Sequence, residues 1–308
     1  MPDSGTSHIS VTQFFATAET CGTIKRASYT GRLFHCMKTE QQHRDEIVHF
    51  GKLLHQSRLI AATDGNLSVR LDGGRFLCTP TVMSKGLMQP DDLVIVDEHG
   101  KKVNGSREVS SEIAMHLLIY RRRPDVNAVV HAHPPTATGY AAAGIALDRA
   151  LCSEIIVTLG SVPLANYETP GTPELAEALA PLVAEHDAIL MANHGVVSWS
   201  HLSVEDAYFK MEIIEAYCRT VVVAAQLGTP LKTFSQTHLQ DLLKIKEGLG
   251  IPDPRIGLKE CELCNNDEWR PGVACAIPPK AIEDTQADEQ AEALVQAITD
   301  QIMSKLNT

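Results

Sequence analysis

The sequence predicts an α/β protein whose strands pair largely as antiparallel hairpins. Three observations carry that reading. Turn signals at Asp64-Gly65-Asn66, Asp72-Gly73-Gly74 and Glu98-His99-Gly100 separate short apolar runs. Helical stretches with their own start and stop signals alternate with those runs. Two of the runs, Ala128 to Val130 and Ala188 to Met191, are apolar throughout, as buried strands are.

The elements follow in order. Residues 1–36 show no sustained period and are rich in Ser and Thr, which reads as a poorly ordered leader. Met37 precedes the first convincing helix, so the start codon could also lie there. Thr39 to Leu59 is helical in pattern, with Ile47, Phe50, Leu53 and Leu54 on one side. A hairpin joins strands Leu67 to Leu71 and Arg75 to Thr79, and further strands are expected at Leu93 to Val96 and near Lys102-Val103.

Ser110-Ser111-Glu112 opens a helix to about Arg123, since hydroxyls cap free amides and an acid suits the positive helix end. Pro124 ends it, and the strand from Ala128 follows. A short helix at Thr136 to Ala143 and a strand around Ile155-Ile156-Val157 come next. Thr172-Pro173-Glu174 starts a helix to about Glu185. Strands at Ala188 to Met191 and Val196 to Trp199 flank Asn193-His194-Gly195, and Ser203 opens a helix to about Leu227. Residues 229–308 form a C-terminal extension, with a short helix near Leu239 to Gly248 and an amphipathic helix over Ile282 to Leu306 that suits packing or subunit contact.

Composition narrows the function. With 44% hydrophobic and 21% charged residues in 308, the chain matches a soluble globular protein. A net charge of -11 argues against nucleic acid or an anionic membrane as partner, but leaves room for one local phosphate pocket. No apolar run approaches the eighteen residues of a membrane span, and the amino terminus lacks the apolar core of a secretory signal. Five of the eight cysteines are scattered singly, as reduced thiols of a cytoplasmic protein are. Cys261-Glu262-Leu263-Cys264 has zinc-knuckle spacing but no second pair, and Cys275 alone would leave such a site incomplete.

The chemistry centres on His131-Ala132-His133. Two residues apart on an extended chain, both imidazoles would face one side of the strand's carboxyl end. Alone, the pair fits either half of a metal site or two hydrogen-bonded loop histidines. His194 follows another apolar strand in the same way, and Glu112 near a helix start could add a carboxylate. Three imidazoles and one carboxylate suit zinc, with manganese or iron as weaker options.

Ser110-Ser111-Glu112, the nineteen residues from Glu112 to His131, and Asn193-His194-Gly195 resemble the class II aldolase/adducin family. So do Asp64-Gly65-Asn66-Leu67-Ser68, Thr79-Pro80-Thr81, Asp91-Asp92-Leu93 and Arg123-Pro124-Asp125. The resemblance spans about Lys38 to Leu227 and implies a catalytic domain over residues 37–228. It implies a three-layer α/β/α fold about a mostly antiparallel sheet, and a homotetramer with sites between subunits. It puts the metal ligands at His131, His133 and His194, with Glu112 as an acid that can ligate the metal or move a proton. It assigns phosphate binding to Gly65, Asn66, Ser110 and Ser111. Backbone amides and neutral polar side chains can hold an anion without a basic surface, although paired serines also serve as plain helix caps.

One position departs from the family pattern. Thr81-Val82 stands where phosphate-binding relatives have Thr-Gly, and Val resists the positive backbone angles open to Gly. The expectation is a rebuilt turn, with Ser84-Lys85-Gly86 contributing, or an anion other than phosphate. Lys85 could pair with the anion or be a solvated loop lysine. The resemblance leaves Glu154 or Tyr167 as the second proton carrier. The expected activity is a metal-dependent aldolase acting on a small, phosphorylated ketose. Epimerase, decarboxylase and dehydratase chemistry are alternatives on the same scaffold, and an adducin-like scaffold protein is the non-enzymatic one.

Overall fold

A computed structural model describes residues 38–251 together with Asp253, Arg255 and Ile256. The leader, Cys261, Cys264, Cys275 and the helix expected over residues 282–306 lie outside the described residues. The chain opens with α1 (Glu40–Gln56), capped reciprocally by Thr39 and Gln42. Strands β1 (Asn66–Leu71), β2 (Arg75–Cys78), β3 (Val94–Val96) and β4 (Lys102–Asn104) follow as a meander, and α2 (Ile113–Arg122) leads into β5 (Ala128–Ala132). Then come α3 (Pro135–Ala142), α4 (Ser153–Thr158), β6 (Leu164–Ala165), α5 (Pro173–Leu179), β7 (Ala188–Met191), β8 (Gly195–Ser200), α6 (Val204–Gln226) and α7 (Gln236–Gly248).

The eight strands form one sheet in the order β4-β3-β2-β1-β5-β8-β7-β6. Every pairing is antiparallel except β6 with β7, so the sheet is mixed but mostly antiparallel. Strand alternation divides the apolar residues into two cores. Val130 and Ala132 of β5 and Val196 of β8 join a cluster with residues of α1, α3, α4 and α6, whereas Val129, Val197 and Trp199 join one with residues of α2 and α5. The three-layer arrangement follows directly from that alternation. Leu239 and Leu243 of α7 belong to the first cluster, so this part of the C-terminal extension packs into the same core.

Three local expectations are corrected. Ile155-Ile156-Val157 is helical, not a strand: Ile155 and Ile156 are buried on the α4 face, and the short β6 supplies the edge strand instead. A short apolar run carries no period that distinguishes the two states, and packing decided it. The helix from Pro173 stops at Leu179 rather than Glu185, and Thr172 does not cap it, its hydroxyl donating to the Thr169 carbonyl instead. The third correction concerns Val82, whose φ is +50°. The branched residue thus takes an angle it was expected to resist. Val adopts the left-handed angle open to glycine, at 81% exposure. Such an angle costs a branched residue about 1–2 kcal/mol.

Candidate metal centre

The antiparallel register puts the ends of three strands together. Asn66 pairs with His131 across β1 and β5, and Ala132 pairs with Val196 across β5 and β8. His194 lies in the turn from β7 into β8, where Asn193 takes a left-handed φ of +54°. Two glycines are required by close approach. A side chain at Gly65 (φ +69°) would come within 2.7 Å of the His131 carbonyl, and one at Gly195 within 2.6 Å of both the Ala132 carbonyl and the His133 ring.

His131, His133 and His194 bring one ring nitrogen each to within 4.8 Å of the others. His131 is fully buried, and its Nδ1–H donates to the Val196 carbonyl at 2.9 Å, which leaves the Nε2 lone pair facing the site. His133 turns Nδ1 toward the Asp64 carboxylate at 3.5 Å and Nε2 toward His131 Nε2 at 3.1 Å. With the ring protons on the two Nδ1 atoms, both Nε2 lone pairs would face one point, as metal ligands do. Nitrogen pairs on a tetrahedral zinc ion stand about 3.3 Å apart, given Zn–N bonds of 2.0–2.1 Å. The His194 Nδ1 atom is buried without a partner among the described residues, while its Nε2 faces Glu112 Oε1 at 3.1 Å. The donor set therefore fits a divalent cation.

Electrostatics agree with that fit. Burial pushes His131 down to about 3 despite the opposing Glu112 charge, and burial together with His194 lowers His133, so both rings favour the neutral form that binds metal. Burial alone would raise the Glu112 carboxyl. The His131 and His194 rings and the Asn66 amide outweigh it and hold Glu112 well below the usual carboxylate range. Glu112 Oε2 lies 3.4 Å from His131 Nε2 and accepts from Asn66 Nδ2 at 2.7 Å.

A model of the Class II Aldolase and Adducin N-terminal domain matches residues 45–222. The chain belongs to the class II aldolase/adducin family. This class II aldolase-type enzyme is 34% identical over 212 residues to a 5-deoxy-D-ribulose 1-phosphate aldolase of Bacillus thuringiensis serovar kurstaki, covering 68% of the chain and 98% of that relative. It is 32% identical over 191 residues to a 3-oxo-tetronate 4-phosphate decarboxylase of Escherichia coli K12, covering 60% and 89%. Among solved structures it superposes on the L-fuculose-1-phosphate aldolase from Thermus thermophilus with a TM-score of 0.55 and 30% identity, covering 61% of this chain and 97% of that one. The three-histidine cluster could hold the divalent metal that class II aldolases use.

The remaining sequence-predicted residues fall in two groups. Asn66 Nδ2 also reaches Ser110 Oγ at 3.2 Å, and Ser110 Oγ accepts from the Glu112 amide at 3.3 Å; the expected serine cap is not formed, because Glu112 itself is the N-cap of α2 and the helix has no side-chain cap. Exposed Ser111 lies under the loop at Gly171, where an added Cβ would meet the Ser111 Cβ at 3.3 Å. The Thr81 amide donates to the Glu108 carbonyl, tying the Thr81-Val82 turn to the strand-like segment before the serines. Lys85 is not a solvated loop lysine: it is 2% exposed, and its Nζ donates to the Thr63 carbonyl at 2.5 Å. Burial pushes it down to about 8, against the attraction of Asp64 and Glu112.

Glu154 and Tyr167 form the second group. Both are exposed, Glu154 on α4 beside Ser153 and Tyr167 between β6 and α5. Neither has a described contact with the histidines. Sequence reasoning missed Asp64 behind His133, and Glu215 of α6, whose carboxylate accepts from the Thr136 and Ala137 amides and so anchors α3 just beyond His133. It also missed His116, although Glu112, His116 and Tyr120 form a visible polar stripe at four-residue spacing on an otherwise apolar helix.

Proposed function

We propose that the chain is a metal-dependent lyase that cleaves a carbon–carbon bond in a small, phosphorylated ketose. The 3.1 Å approach of the His131 and His133 Nε2 atoms, beside His194 and an ionised Glu112, carries this reading. His131, His133 and His194 would hold the ion, zinc before manganese given three imidazoles. When bound, a divalent cation supplies Lewis-acid polarisation of the substrate carbonyl and stabilises the enediolate left by bond cleavage. Glu112, kept ionised, would take and return the proton at the enediolate carbon. The Ser110 and Ser111 hydroxyls, the Gly65 and Thr81-Val82 turns and the Lys85 ammonium would hold the phosphate, whereas the Asn66 side-chain amide is committed to Glu112 and Ser110.

Glu154 and Tyr167, both exposed, are the candidates for the second proton transfer at the site of an adjoining subunit, in a cytoplasmic homotetramer. The phosphorylated substrates named for the Bacillus thuringiensis and Escherichia coli relatives support a phosphorylated substrate here. The test is a screen of metal-replete protein against 5-deoxyribulose 1-phosphate, fuculose 1-phosphate and 3-oxo-tetronate 4-phosphate. Release of dihydroxyacetone phosphate with an aldehyde is expected. Carbon dioxide release from the oxo acid alone would make the enzyme a decarboxylase, and far less than one metal per chain with no turnover would overturn the proposal.

A further inference from the structure

Behind Glu112 the site continues as a buried hydrogen-bond chain that the proposed mechanism does not use. Asn66 Oδ1 meets His116 Nε2 at 2.5 Å, His116 Nδ1 meets Ser68 Oγ at 2.6 Å, and Ser68 Oγ meets Tyr120 OH at 2.9 Å. Asn66, Ser68, His116 and Tyr120 are all at most 5% exposed. The alignment has a geometric cause. Residues 112, 116 and 120 advance about 6 Å per step along a helix, and residues 66 and 68 about 6.6 Å along a strand, so the two polar rows match.

The direction of every bond in the chain is fixed by its end. The Glu112 carboxylate can only accept, so the Asn66 NH2 must face it and the Asn66 carbonyl oxygen must face His116. That oxygen can only accept, so His116 carries its proton on Nε2. A neutral ring then accepts at Nδ1 from the Ser68 hydroxyl, which in turn accepts from Tyr120. Burial keeps the His116 ring neutral, pushing it down to about 4.

We propose that His116 is a positioning residue of the site: its Nε2–H locks the Asn66 amide so that both Asn66 donor hydrogens point at Glu112 and Ser110. Without that lock the Asn66 amide can rotate and present its oxygen to the Glu112 carboxylate, which repels it. This inference rests on the proposed function for its catalytic consequence, but the hydrogen bond itself does not.

The test combines two variants with a spectrum. His116→Gln keeps a donor near the Nε2 position, whereas His116→Asn keeps only a group near Nδ1. Outer-shell partners of metal ligands typically carry 10–100-fold in affinity or activity. His116→Asn should therefore weaken zinc binding, read by competition with a chromophoric chelator, and lower kcat, each by about 10–100-fold. His116→Gln should recover most of both. Equal behaviour of the two variants would show that His116 merely fills the core. In metal-free wild-type protein, 15N NMR of labelled histidine should find His116 protonated on Nε2 and bare on Nδ1. The opposite tautomer overturns the proposal even if His116→Asn fails to fold, and even if the wild-type chain takes up no metal and the lyase reading falls.

Discussion

The Nε2 atoms of His131 and His133 face each other at 3.1 Å, each ring having turned its Nδ1 to an oxygen, of the Val196 carbonyl and the Asp64 carboxylate respectively. A cation held there would ligate rings that only the folded chain brings together. Metal removal should thus lower the unfolding temperature, and a metal at 100 times its Kd should add about 2.7 kcal/mol of stability. His131→Ala should lose both the metal and that increment while remaining folded. Scanning calorimetry with and without chelator reads the effect, and identical curves would count against the site.

Acid should destabilise the metal-free protein in a defined window. His131 and His116 titrate near 3 and 4 when folded, against about 6.5 in an unfolded chain. Between those limits the unfolded state binds more protons, so stability is full above pH 6.5 and falls as the pH drops. Each histidine contributes a slope of about 1.4 kcal/mol per pH unit there. Urea unfolding at pH 7.5, 6 and 5 should trace the decline, and a flat profile would contradict the buried neutral rings.

Lys85 predicts an alkaline limit. With a folded value of about 8, its ammonium discharges as the pH passes that point and anion binding weakens. The kcat/KM profile should bend down near pH 8 in the wild type, and Lys85→Met should show lower kcat/KM with no such bend. A bend that persists in the variant belongs to another group.

Val82→Gly should stabilise the fold. Relief of about 1–2 kcal/mol of left-handed strain exceeds the 0.5–1 kcal/mol that glycine's added chain entropy costs. The expected net gain is on the order of 1 kcal/mol, measured by chemical denaturation. A loss of stability would mean that the Val side chain has a partner at the pocket rim.

Glu215→Gln should cost about 1–3 kcal/mol, because the buried carboxylate, 3% exposed, accepts from two backbone amides and the Thr136 hydroxyl. Since α3 follows His133 directly, metal affinity should fall with it. Unchanged metal binding in a destabilised variant would confine Glu215 to a structural role.

Much of this arrangement could be read from the chain. His131 and His194 each follow an apolar run, and the carboxyl ends of such central strands are where the structure gathers the site. Asn66, Ser110 and Glu112 were singled out from turn signals and the family resemblance, and the structure brings the three within hydrogen-bond reach of one another. What escaped was non-local. Glu215 reaches Thr136 across 79 residues, and no pattern near either marks the contact. Lys85 reads as a loop cation until the packing of α1 and the Thr63 turn bury it. Ile155 to Val157 has the composition of a strand but lies in a helix packed against α6 and α7, with Ile155 and Ile156 buried. Val82 was recognised as anomalous, but the tolerance of the exposed turn for a branched residue is a property of its surroundings.

The pairing of β5 with β8 sets Ala132 against Val196 and His131 against Val197. A slip of one residue would turn His131 out of the site and, by the same rotation, send Val129 and Val130 to each other's core. Apolar packing and the convergence of the three histidines thus depend on a single alignment. A chain whose central strands paired one residue out of frame would therefore lose the histidine cluster and the core together.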